Sequence, residues 1–272
     1  VKAVDEATNT VYQAGVDFTV DTISPIFSSG FSASAILSDG FLNSQEVALG
    51  TPQDLVTALV ADDLSDTVEY AVAASGTSCE DASPYSTTVP KTNDSYSEGS
   101  FKICAKITDN ASNPSYFTTN AEAISFTVDT VLPTISGGVS TAGSPIDDTY
   151  LNAAESLTSS DLISAVSPNL SGDSVDYLIQ TAGAACDDTA SGFTSTIPKS
   201  DASIADGDYK ICVKISDDAA NPSFYDDSVT FKRDTVAPTI ALIDNGNIKG
   251  SNISSYVVEG SCVDTGSGIG VL

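Results

Sequence analysis

The 272-residue chain carries 10 basic residues against 37 acidic ones, a net charge of −27, with no His, Met or Trp. That balance repels nucleic acid and anionic lipid surfaces, and the absence of His leaves no imidazole base and no Ser-His arrangement. A hydrophobic fraction of 41% suffices for domains of about 100 residues, while no run of 18 apolar residues and no basic-plus-apolar leader appears, so neither membrane insertion nor an export signal is expected of this stretch.

From its first residue the chain reads as strand. Val1-Lys2-Ala3-Val4-Asp5-Glu6-Ala7-Thr8-Asn9 aligns with Val213-Lys214-Ile215-Ser216-Asp217-Asp218-Ala219-Ala220-Asn221, so residues 1–21 are expected to be the C-terminal strands of a preceding repeat. They close on Phe18-Thr19-Val20-Asp21-Thr22 with Pro25. The phrase returns as Phe126-Thr127-Val128-Asp129-Thr130 with Pro133 and, altered, as Phe231-Lys232-Arg233-Asp234-Thr235 with Pro238. An alternating apolar run ending in Asp-Thr before Pro marks a last strand passing into the next first strand, because Pro cannot donate to a ladder. The aspartates lie 108 and 105 residues apart, the length of an Ig-sized sandwich.

Two whole repeats follow, at 22–129 and 130–234. Asp39-Gly40-Phe41-Leu42-Asn43-Ser44-Gln45-Glu46 answers to Asp148-Thr149-Tyr150-Leu151-Asn152-Ala153-Ala154-Glu155, and Val89-Pro90-Lys91 answers to Ile197-Pro198-Lys199. Residues 235–272 have room for a strand or two of a further domain of different type. There Tyr256 to Asp264 matches neither repeat, and Gly266-Ser267-Gly268-Ile269-Gly270 reads as a turn, having no helix after it to make a phosphate loop.

Inside each repeat, short runs of Val, Ile, Thr, Tyr and Phe alternate between Ser, Asp, Gly, Asn and Pro, which predicts an all-β fold. Ala153 to Ala165 has helical composition, but its equivalent contains Gly50-Thr51-Pro52, so no more than a helical turn is expected. The clearest strand, Tyr209 to Ser216, places Tyr209, Ile211, Val213 and Ile215 on one face and Lys210, Cys212 and Lys214 on the other. Cys104, between Lys102 and Lys106, repeats the pattern.

The paired spacing of Cys79 with Cys104 and Cys186 with Cys212 points to one disulfide per repeat and an oxidising compartment, reduced buried thiols being the alternative; Cys262 is left over. Zinc lacks its His and C-x-x-C ligands. The lysine face is expected to meet solvent, which puts the bridge on the outer surface.

A strand ending in Asp-Thr before Pro, an Asp-x-Ala-x-Asn turn (Asp5 to Asn9, Asp109 to Asn113, Asp217 to Asn221) and the Leu-Asn-x-x-Glu element together resemble the bacterial Ig-like repeats of large surface adhesins and biofilm-associated proteins. The resemblance implies tandem Ig-like β-sandwich domains in an extended, rod-like array, extracellular or at the cell surface. It also implies that most copies act as spacers and that calcium stiffens their junctions. The cysteine pair departs from the usual cysteine-free pattern.

The residues allow a junction model. In such a sandwich the turn between the last two strands lies where the domain is entered, so Asp21 should face Asp109, Asn110 and Asn113, and Asp129 should face Asp217, Asp218 and Asn221. Glu46 and Glu155 lie on the first connection, at the exit end, where each could add a carboxylate; Asp234 marks the third junction. Such a set offers the oxygens calcium requires. The same Asp and Asn residues are also good turn formers, and no contiguous EF-hand loop is present. Four Asn-x-Ser sequons, at Asn93, Asn110, Asn169 and Asn252, carry little weight in so Ser-rich a chain.

A non-catalytic structural array is therefore expected, its partners being neighbouring repeats of the same chain. The alternative is a recognition module whose loops bind a glycan or protein on another cell, or a neighbouring copy. Tyr116-Phe117 matches Phe224-Tyr225, which argues for shared structure, whereas Tyr85 and Tyr96 lack clear counterparts and leave room for local specificity. Carboxylate pairs could hydrolyse glycosides, but the acids recur at domain ends and do not gather in one cleft. Strand exchange between chains is a third possibility.

Overall fold

The computed structural model describes residues 1–272 except 29, 118–122, 226–228, 244–259 and 270–272, so Asn252 and the first four residues of Tyr256 to Asp264 lie outside the described residues. The fold is all-β. The chain divides into two compact units, Val1–Thr130 and Val131–Leu272, each taken by itself below. Among the described residues no helix is long and apolar enough to cross a membrane.

The first unit opens with an exposed hairpin, β1 (Lys2–Val4) with β2 (Thr10–Tyr12). Its sandwich comprises β3 (Phe41–Asn43), β4 (Thr67–Ala74), β5 (Gly99–Thr108), β6 (Pro114–Tyr116) and β7 (Ile124–Asp129). The strands run in the order β3-β7-β5-β4, with β6 also on β5. Strand β7 is antiparallel to β5 and parallel to β3, which sets Asn43 opposite Asp129. The facing layer is made of isolated bridges, Phe27 to Ala61, Ala33 to Val56 and Asp54 to Lys91. Leu55, Val56 and Leu59 from that layer meet Tyr70, Ile103, Ala105, Phe126 and Val128 from the sheet in one core. Two layers closing on one apolar interior make a sandwich.

The second unit repeats the plan. β8 (Ile135–Ser136) pairs with β10 (Ser167–Pro168), while β9 (Tyr150–Asn152), β11 (Ser174–Thr181), β12 (Gly207–Ser216), β13 (Pro222–Tyr225) and β14 (Thr230–Asp234) form the sheet β11-β12-β14-β9 with β13 on β12. Its core takes Leu162, Ile163 and Val166 from one layer and Tyr177, Ile211, Val213, Ile215 and Phe231 from the other. The buried hydroxyls of Tyr70 and Tyr177 accept the backbone N–H groups of Leu59 (2.7 Å) and Val166 (3.3 Å), so a large apolar ring is buried with its polar tip satisfied. Beyond β14, β15 (Thr239–Leu242) pairs antiparallel with β16 (Gly260–Val263), both largely exposed.

Among the described residues helix is confined to single turns. Ser44–Val47 is a single α turn, α1, closed by a capping box between Asn43 and Glu46, and Glu155–Leu157 is one 3-10 turn.

The disulfides require a correction. Cys79–Cys104 and Cys186–Cys212 form as expected, on the face of β5 and β12 turned away from the main core, but that face is not solvent. Cys104 and Cys212 are 0% exposed, and Lys102 and Lys210 only 6% and 7%. The segment after β4 folds back over the sheet and lays Cys79 and Ala82 onto Ala71 and Cys104, with Tyr85 at the margin. Small side chains let it lie flat, and the bridge is the centre of a second, smaller core.

That crossing also corrects the reading of the loop aromatics. Tyr85 stacks near Tyr116 (6.1 Å) under Lys106, just as Phe193 stacks near Phe224 (6.0 Å) under Lys214, so Phe193 is the counterpart of Tyr85. Tyr96 packs on Phe101 and Phe126, and Ile204 packs at the edge of the second core as its equivalent. Both tyrosines are shared scaffold.

Candidate functional site

Three backbone devices position the acids. In the first, the Asp-x-Ala-x-Asn turn closes as a clasp: Asp109 accepts the backbone N–H of Asn113 (2.8 Å) and its side-chain amide (2.8 Å). Asp5 with Asn9 and Asp217 with Asn221 repeat both bonds. Thr8, Ser112 and Ala220, each one residue before the Asn, take φ of 68°, 69° and 64°, a left-handed bend uncommon outside glycine that the clasp holds in place. The turn chemistry of these residues is therefore realised in every copy.

The clasp has a pH signature. The Asn113 side-chain amide first, then its backbone N–H, hold the Asp109 carboxyl below its ordinary 3.8. Because the folded value is the lower one, the contribution is complete above 3.8 and fades as pH falls through the depressed folded value. Asp109→Asn is expected to flatten the loss of stability of the first unit below about pH 4, read from denaturant midpoints at several pH values; an unchanged slope would overturn it.

The second device was not anticipated from sequence. Glu98 accepts the backbone N–H of Thr130 (3.1 Å) and its hydroxyl, and Asp206 accepts the N–H (3.1 Å) and hydroxyl (3.0 Å) of Thr235. Each acid directly precedes the glycine that opens β5 or β12, Gly99 or Gly207. The Thr of the Asp-Thr phrase is thus latched to its own repeat as the chain leaves it, and the repeated acid-Gly pair was the available signal.

The third device surrounds the first phrase. The amide of Asn113 donates to the main-chain carbonyls of Asp21 (3.2 Å) and Ile23 (3.5 Å), while the Asp21 carboxylate accepts Ile23 N–H (3.1 Å). This brings Asp21 and Asp109 to one groove of about 410 Å³, which Asp62, Asp63 and Asp66 also line. Desolvation first, then the charges of Asp63, Asp109, Asp62 and Asp21, push the Asp66 carboxyl up. Carboxylates crowded this way favour a proton or a cation. Among the described residues no three His, Cys, Asp or Glu side chains stand close enough to hold a metal as placed. By donor type the groove still fits calcium, being lined by hard oxygens with carbonyls alongside. Asp62, Asp63 and Asp66 were not among the expected ligands.

The remaining expected ligands fall as follows. Glu46 follows β3, whose Asn43 lies opposite Asp129, and its carboxylate accepts Asn43 N–H (2.9 Å) in the capping box. Burial pushes its carboxyl up despite that bond. Glu155 accepts Asn152 N–H (2.9 Å), next to Asp234 in register. In the second unit Asp218 lies against Gly172, where a side chain would meet its carboxylate at 3.6 Å. Asp129 ends β7 of the first unit, and Asp217, Asp218 and Asn221 belong to the second.

No protein-family model matches the chain, and no curated protein matches it. Among solved structures it is similar to a Ca2+-stabilized adhesin that helps an Antarctic bacterium reach out and bind ice, at 22% identity and a TM-score of 0.40, over 89% of this chain and 58% of that one. It is also similar to a 1.5-MDa bacterial ice-binding adhesin (18%, 0.36, over 82% and 70%) and to fibronectin(III)-like modules of CbhA from Clostridium thermocellum (14%, 0.41, over 75% and 93%). The chain spans little more than half the first of these.

Proposed function

We propose that the chain is a non-catalytic structural segment of an extracellular or cell-surface adhesin or fibre, organised as a strand tail at 1–21, Ig-like repeats at 22–129 and 130–234, and the start of a further domain at 235–272. The observation that carries this is the reuse of the same residues for the same structural task in both units. The core positions, the Asp54–Lys91 and Asp161–Lys199 bridges, the clasps, the latches and the covered disulfides recur. A catalytic or recognition site would call for side chains that differ from the repeat, and the loop aromatics that first suggested one serve both sandwiches. Two buried disulfides favour an oxidising compartment.

Calcium is the proposed cofactor. Its first ligand set is Asp21, Asp109 and Asn113, enlarged by Asp62, Asp63 and Asp66. In the second repeat the corresponding residues are Asp217, Asp218 and Asn221, and Asp129 with Glu46, and Glu155, are carboxylates proposed at the exit ends of their own repeats. The experiment is a thermal melt of the full chain in calcium and in chelator. Calcium is expected to raise the first transition, and Asp66→Asn to shrink that rise while stabilising the chelated form, because it removes a crowded charge. A melting temperature indifferent to calcium would sink the metal; one that responds equally in Asp66→Asn would remove it from this groove.

A further inference from the structure

We propose that the passage from β14 into the β15–β16 pair is held by a two-sided, metal-independent splice, in which Asp206 grips the linker from the repeat and Asp234 grips the turn after β16. The upstream grip is the Asp206 latch on Thr235, joined by the Arg233 guanidinium at 2.8 Å. On the downstream side Asp234, 9% exposed, accepts Val236 N–H (3.1 Å) with one carboxylate oxygen and Ser267 N–H with the other. Asp264 shapes that turn by accepting Gly268 N–H (2.7 Å). At Gly266 the carboxylate comes so close that any Cβ would fall inside it. The turn that matches neither repeat is therefore fitted to the junction aspartate.

The altered phrase fits the same purpose. Where the first two copies carry Thr-Val, the third carries Lys232-Arg233, and these pair with Asp208 (3.9 Å) and Asp206 (2.8 Å). The cationic charge here is part of the chain. In the first unit, by contrast, Asn113 holds Asp21 by its main-chain carbonyl and leaves its carboxylate on the acidic groove. A carboxylate whose two oxygens both face backbone N–H groups has its negative charge answered without a metal.

Amide hydrogen exchange of the full chain, followed by NMR at Ser267 in calcium and in chelator, tests the splice. Ser267 is expected to exchange at least about tenfold more slowly in the wild type than in Asp234→Ala or Gly266→Ala, equally in both buffers. Ile211, bonded to Val229 within the repeat (2.9 Å), should stay protected throughout. Gly266→Ala lies outside the repeat's sheet and keeps the test decisive if Asp234→Ala loosens β14. Protection of Ser267 that needs calcium, or that is absent in every form, would overturn the proposal. The calcium reading fails separately, through the melt of the first unit, so the two failures are distinguishable.

Discussion

Replacing Cys79 and Cys104 together by alanine is expected to cost the first repeat about 3.5 kcal/mol, the chain-entropy value for a loop of this length. The two cysteines are 25 residues apart with Cα atoms at 5.4 Å. For a domain of about 100 residues each kcal/mol moves the melting temperature by roughly 4–8 °C, so a drop of about 14–28 °C follows. The effect should reach past entropy, because the bridge lies at the centre of the small core of Ala71, Cys79, Ala82 and Cys104; freeing it lets the crossing segment lift and wets the back of β5. Calorimetry resolves this within one molecule. The transition of the second repeat, whose Cys186–Cys212 bridge is intact, should stay in place, and the reciprocal variant should exchange the two. A loss below about 1 kcal/mol would mean that the crossing is held by its packing alone.

Much of this architecture was legible because it obeys a period. The alternation in Tyr209 to Ser216 assigned the inner face of β12 correctly, and the Asp-Thr-Pro phrase marked where β7 and β14 end. What failed was the outer face. Alternation separates one side of a strand from the other, but whether the second side meets water depends on a chain segment that crosses it, and the return after β4 leaves no period-2 trace. Lys102 and Lys210 were thus assigned to solvent yet are nearly buried. The Tyr85–Phe193 equivalence was missed for a related reason: the crossing segments share a place under the lysines but little sequence.

The acids divide in the same way. Asp109 and Asp217 were visible as a turn motif, and they are clasped as such a motif requires. Glu98 and Asp206 were hidden because an acid before Gly is unremarkable in a chain with 37 acidic residues, and only the fold brings each to the Thr some 30 residues on. Asp62, Asp63 and Asp66 reach the groove because they lie between the last bridge of the facing layer, at Ala61, and the start of β4 at Thr67. The second repeat keeps Asp173 for Asp66 but has Asn169 and Leu170 where the first has Asp62 and Asp63. These positions therefore differ in charge between the two repeats.

The phrase that marks the repeats also yields the sharpest contrast in stability. Phe126→Ala is expected to cost the first repeat about 3–5 kcal/mol, the range for emptying a buried aromatic site, while Phe18→Ala should change stability by less than about 0.5 kcal/mol. Both residues open Phe-Thr-Val-Asp-Thr. Phe126 is 3% exposed, with Tyr96 edge-on at 5.9 Å and Phe101 at 5.8 Å, whereas Phe18 is 84% exposed. Strand β7 is sewn between β5 and β3, Phe126 opposite Phe101 and Val128 opposite Leu42; among the described residues no strand pairs with 18–21. Denaturant unfolding of the two variants, followed for the first unit, checks the difference. Equal losses would mean that Phe18 is buried in solution, and a small loss for Phe126→Ala would mean that the aromatic cluster closes over the vacancy. The same five residues are thus expected to be core or surface according only to whether a partner strand lies on either side.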